Sequence, residues 1–100
     1  MPPFPGVKSW PAAFLCLAAC ATASPPDTEL AAARSAIIQA EPVASRHAQG
    51  ELRLAQDKLA RAEQARSQNR FDEARRLAEQ AEVDARYAAA LAEAERSRAQ

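Results

Sequence analysis

An all-α fold is what this sequence predicts, and three observations carry it. Ala, Arg, Glu, Leu and Lys make up 57 of the 100 residues, 27 of them alanine, the composition of long helices and coiled coils. Small apolar residues recur at spacings of three and four along the second half of the chain, the period of one helix face. Residues that favour sheet are scarce, with 3 Phe, 1 Trp and 1 Tyr, and only 2 Gly are available for turns. The expected architecture is an N-terminal signal peptide and a short linker, followed by an antiparallel helical hairpin with one additional, shorter N-terminal helix. The seam between the helices is expected to be Ala-rich and coiled-coil-like.

Residues 1–19 read as the signal peptide. Lys8 is the only basic residue before Arg34, and the apolar run Trp10 to Ala19 is about ten residues long, half of the roughly 20 that a membrane span needs. The run ends in Leu17-Ala18-Ala19-Cys20, which resembles a bacterial lipobox. Small residues before the cysteine admit the processing peptidase, and the Cys20 thiol takes a diacylglyceryl group, so Cys20 becomes the lipidated first residue of the mature chain. Two or three acyl chains hold a protein firmly to a bilayer, where one does not. Ala21, not Asp, follows Cys20, and this resembles lipoproteins that are passed on to the outer membrane. Ala21-Thr22-Ala23 also satisfies ordinary signal cleavage, which would release a soluble periplasmic protein. With Cys20 alkylated and Cys16 removed, no disulfide is expected.

Residues 20–27 form the lipidated cysteine and its linker, short, polar and rich in Pro. The helical domain covers 28–100. Asp27 or Thr28 offers the first N-cap, Leu30 and Ile37 share one face, and Pro42 is expected to stop the first helix, giving about 28–40. The segment 43–49, with His47, is ambiguous. The second helix, about 49–67, carries Leu52, Ala55, Leu59 and Ala62 at a/d spacing. Ser67-Gln68-Asn69-Arg70 is the break, since Asn tolerates the left-handed conformation that ends many helices. The third helix, about 72–98, opens with Asp72 as its cap. Its seam is the longest in the chain: Phe71, Ala74, Ala78, Ala81, Ala85 and Ala88, then Ala92. Leu77, Tyr87 and Leu91 widen that stripe. Arg53–Asp57, Asp57–Arg61, Asp72–Arg76, Arg75–Glu79 and Glu82–Arg86 are i,i+4 pairs of opposite charge on the outer faces.

Two stretches together resemble a known family. Ala48-x-x-Glu51-Leu52-x-x-Ala55-x-x-Lys58-Leu59-x-x-Ala62 is followed by Arg70-Phe71-Asp72-Glu73-Ala74-Arg75-Arg76-Leu77-Ala78-Glu79-Gln80-Ala81-x-x-Asp84-Ala85. This pattern is similar to the bacterial domain of unknown function 4398, over about Ala32 to Glu95. Arg70-Phe71 stands at the family's glycine–aromatic step, with Asn69 in the glycine's role. The family comprises small alanine-rich lipoproteins and domains, some joined to or encoded beside OmpA-like peptidoglycan-binding proteins. The resemblance implies a cell-envelope setting and carries no catalytic residue.

Little in the residues points to chemistry. Charge is balanced, 13 basic against 13 acidic residues, unlike the one-sided positive charge of a nucleic-acid binder. His47 is the only histidine, so no metal site is expected, and no phosphate loop, nucleophile elbow or zinc spacing occurs. A chain this short has little core from which to build a substrate pocket. The sequence therefore predicts a protein that is not an enzyme and has no cofactor, catalytic residue or small-molecule substrate. The expected function is that of a structural or interaction lipoprotein on the periplasmic side of the outer membrane. Its expected partners are the membrane, through the anchor, and a second copy or another envelope protein, OmpA-like among them. The alternative is a soluble periplasmic adaptor or chaperone-like binder released by ordinary cleavage.

Overall fold

A computed structural model describes residues 24–100. The expected signal peptide, the expected lipobox Leu17-Ala18-Ala19 and the expected lipidation site Cys20 lie outside the described residues. Within them the fold is all-helical, without strands: α1 is Asp27–His47, α2 is Gln49–Ser67 and α3 is Phe71–Ala99.

Helix α1 departs most from expectation. It does not stop at Pro42 but runs 21 residues through it, so it is not the shorter helix; α2 has 19. A proline inside a helix removes one hydrogen bond and crowds the carbonyl four residues back, which costs about 3 kcal/mol. Two features offset that cost. Pro42 is exposed, and so is Ile38, the residue whose carbonyl loses its partner, so water can satisfy it. The buried row Leu30, Ala33, Ala36, Ile37, Ala40 and Ala44 spans the proline without interruption, and its packing secures the helix on both sides. His47, expected in an ambiguous segment, is the last residue of α1. Neither Asp27 nor Thr28 caps the helix. Pro26 holds the N-cap position, and its carbonyl accepts a 3.0 Å bond from the Leu30 amide.

One residue, Ala48, separates α1 from α2, with φ −149° and ψ 51°. Its amide closes on Ala44 O at 2.9 Å and its carbonyl accepts from Leu52 N at 3.0 Å. A single extended residue thus reverses the chain while both neighbouring hydrogen-bond ladders stay intact. Helix α2 ends as its sequence suggests. Asn69 takes φ 63°, the Arg70 amide reaches back to Ala65 O at 2.9 Å, and the Asn69 amide bonds Arg66 O at 3.0 Å. Those two crossed bonds make a Schellman motif, which satisfies carbonyls that the last turn would otherwise leave open. The motif hands over at once to α3, whose N-cap position is Arg70. Asp72 therefore falls within the first turn and does not cap it; it pairs with Arg75 instead, at 3.4 Å.

The three helices form a bundle. One core cluster gathers Ala36, Ile37, Ala40 and Ala44 of α1, Leu52 and Ala55 of α2, and Ala85, Ala88 and Ala92 of α3. A second gathers Leu30 and Ala33, Ala62, and Leu77, Ala78 and Ala81. Early α1 thus meets late α2 and early α3, and the chain runs up, down and up again. Fourteen of the eighteen buried apolar residues are alanine, a core that allows helix axes to approach toward the lower end of the 8–10 Å range. Beyond Ala92 no residue of α3 is buried, and its last two turns extend past the α1–α2 corner.

Candidate functional site

The residues expected to form the seam come together. Leu52, Ala55 and Ala62 of α2 are buried, as are Ala74, Ala78, Ala81, Ala85, Ala88 and Ala92 of α3. Leu59 is half-buried and touches both core clusters, and Phe71 is half-buried at the turn. Leu77 joins the core and Leu91 packs partly against it. Tyr87 does not widen the stripe: 58% of it is exposed. The helical period explains the difference. Positions 85 and 88 face inward, and residue 87 lies two steps of about 100° from 85, on the outer surface.

Charged side chains tie the helices together in a way local spacing does not reveal. Of the five expected i,i+4 pairs, Asp57–Arg61 forms at 3.8 Å and Glu82–Arg86 at 2.5 Å. Arg75 turns away from Glu79 to Glu29 on α1, 3.5 Å away, and donates to the Ser24 carbonyl at 2.9 Å. Arg34 of α1 donates through Nε and Nη2 to one oxygen of Glu63 on α2, at 2.9 and 2.7 Å. Lys58 of α2 meets Asp84 Oδ2 of α3 at 2.7 Å. That oxygen is shut off from solvent and has no hydrogen bond of good geometry, which leaves the ammonium as its compensation. These bonds join residues 29 to 51 positions apart in the first three cases and 26 in the last, so only the folded topology brings them together.

The first described residues, from Ser24, are fastened at the end where α2 turns into α3. Pro26 is fully buried, so this part of the expected linker packs on the bundle and does not extend from it. Arg66 donates to Asp27 Oδ1 at 2.6 Å. That hydrogen bond, joined by the charges of Arg66 and Arg34, holds the Asp27 carboxyl below its ordinary value of 3.8, although partial desolvation opposes it. The same bond raises Arg66. A polar hollow of about 260 Å³ opens nearby, lined by Arg61, Gln64, Ala65, Gln68, Arg70 and Glu73. Its arginines are occupied by Asp57 and Glu73.

Residues 28–100 match the family described as Domain of unknown function (DUF4398). The chain belongs to this family. The match takes in all three helices of the DUF4398 domain, more than the stretch that carries the resemblance in sequence, and α1 is part of it. No curated protein and no solved structure matches the chain. Among the described residues of this DUF4398 chain, no three of His, Cys, Asp and Glu gather at one place, and no helix is long and apolar enough to cross a membrane.

The outer face of α3 is the feature that sequence reasoning missed. Val83 is 64% exposed, beside Tyr87 on the next turn, and Ala90 and Ala94 continue the row, both exposed. The signal was present as apolar residues 83, 87, 90 and 94, spaced 4, 3 and 4. The stronger seam on the opposite face obscured it. Next to Val83 lies a hollow of about 260 Å³ lined by Arg76, Glu79, Gln80, Val83 and Asp84.

Proposed function

We propose that this DUF4398 protein is a non-enzymatic lipoprotein of the bacterial cell envelope. In this reading Cys20 holds it to the periplasmic face of the outer membrane, and the helical bundle is a structural and interaction module. The observation that carries the anchor is Leu17-Ala18-Ala19-Cys20 standing just four residues before Ser24, whose carbonyl is already bonded to Arg75. A lipid on Cys20 then lies within about 14 Å of chain from the bundle, so the domain sits close to the bilayer surface. An alanine seam supports the structural part, because such a core fixes helices together without leaving a cleft between them. The exposed row on α3 supports the interaction part, with an envelope protein or a second copy as partner.

Metabolic labelling with palmitate tests the anchor. The wild-type chain is expected to take up label and to fractionate with membranes. The Cys20→Ser variant should lose the label and accumulate as uncleaved precursor. An unlabelled wild type found in the soluble periplasm would refute the anchor. The second reading, a soluble periplasmic adaptor, is favoured by Ala21-Thr22-Ala23 directly before Ser24. Mass spectrometry of the mature N-terminus separates the two, since an unmodified Ser24 start would support the adaptor.

A further inference from the structure

The outer face of α3 is complementary to itself. Taking Val83 as centre, Glu79 and Gln80 precede it by four and three residues, while Arg86 and Tyr87 follow it by three and four. The hollow lies on one side of this centre and the exposed tyrosine on the other. Arg76, Glu79, Gln80 and Val83 stand at i, i+3, i+4 and i+7, the four-cornered hole that receives one side chain of a facing helix. Tyr87 lies about 6 Å along the helix from Val83, so a two-fold axis through Val83 sets it at the level of the other copy's hollow, as far from Val83 in the opposite direction.

Charge follows the same symmetry. Glu79 and Arg86 are seven residues apart and so lie on one flank of the row. An antiparallel copy therefore brings Glu79 of each chain opposite Arg86 of the other, twice over. Among the described residues neither Arg76 nor Glu79 has an ion-pair partner within the chain. Arg86 is paired with Glu82 but remains 73% exposed, open to a second carboxylate. Arg76 lines the hollow, where its guanidinium can lie over an inserted phenol ring.

We propose that this face is the interface of an antiparallel homodimer. Val83 meets Val83 of the second copy at the two-fold axis, Tyr87 fills the hollow between Arg76 and Val83, and Glu79 pairs with Arg86 at both flanks. The contact is isologous and closes at two chains, so it builds no filament. A contact confined to one helix face is expected to bury less than the roughly 1,600 Å² of a standard stable interface, and the dimer is expected to dissociate readily in dilute solution. The proposal rests on the reading of the bundle as an interaction module and does not depend on the anchor; palmitate labelling at Cys20 and dimer formation are read separately.

Photocrosslinking of the full chain in cells tests it. A benzophenone side chain at position 90 should give an adduct of two copies whose linked peptide contains Arg76, because residues 90 and 76 lie seven positions either side of Val83. The same group at Leu54, exposed on α2, should give none. An adduct with a different protein, a link back to the region of residue 90, or no adduct at all would each overturn the proposal. Charge reversal provides an independent readout. Glu79→Arg and Arg86→Glu should each weaken dimerisation by about tenfold, as rim charges set face to face repel, and the two together should restore it. Both positions are exposed, and an unchanged helical circular dichroism signal establishes that each variant is folded. Failure of the double variant to recover would also count against the pairing.

Discussion

Asn69 shows how much a single residue decides. Its φ of 63° is what allows the Arg70 amide to reach back to Ala65 O and the chain to reverse in three residues. A side chain with a Cβ and no local polar group pays for that conformation with about 1–2 kcal/mol. Asn69→Ala is therefore expected to lower stability by about 1 kcal/mol, and Asn69→Gly to preserve or raise it. Chemical denaturation of the two variants measures both, and an alanine variant as stable as wild type would show that the left-handed turn is not under strain. This turn was legible in the sequence, because Asn at a break between two amphipathic runs has few other reasons to be there. The arginine contacts at the same end were not. Arg75 has Glu79 one turn away and Glu29 far off in sequence, and nothing local indicates that the distant one prevails.

At the level of the helices, α2 has the bounds its periodicity suggests, Gln49–Ser67, and α3 differs by one residue at each end. Both are long runs in which the alanine seam and the i,i+4 charges agree. Helix α1 was misread because the stop signal at Pro42 is local, whereas the packing that overrides it is tertiary. The buried row from Ala33 to Ala44 faces α3, a surface that does not exist until the bundle forms. The corner at Ala48 was equally obscure, since it carries neither Gly nor Pro at the reversal itself. If α1 bears the cost of its proline, Pro42→Ala should stabilise the domain by up to about 3 kcal/mol. Thermal unfolding followed at 222 nm would record the rise in midpoint. A fall in midpoint would mean that the proline fixes a bend on which the packing depends.

The molecule as a whole is held by small side chains. Ala81, Ala85 and Ala88 have no accessible surface, and the clusters around them combine further alanines with only a few larger side chains such as Ile37, Leu52 and Leu77, so little there can yield. Enlarging one of them should hurt more than it would in a leucine-rich core. Ala85→Leu is expected to cost about 1–3 kcal/mol or more, as read from denaturant midpoints. Ala90→Leu on the exposed side of the same helix should leave the monomer's stability nearly unchanged. Comparable losses at both sites would contradict the close approach of the axes. An odd number of helices has a further consequence. With one traverse up, one down and one up again, Ser24 and Gln100 come to rest at opposite poles, separated by roughly the 43 Å of a 29-residue helix. The bundle therefore keeps these two poles a fixed distance apart, and a fluorophore pair placed at them is expected to report that distance as a single, narrow value.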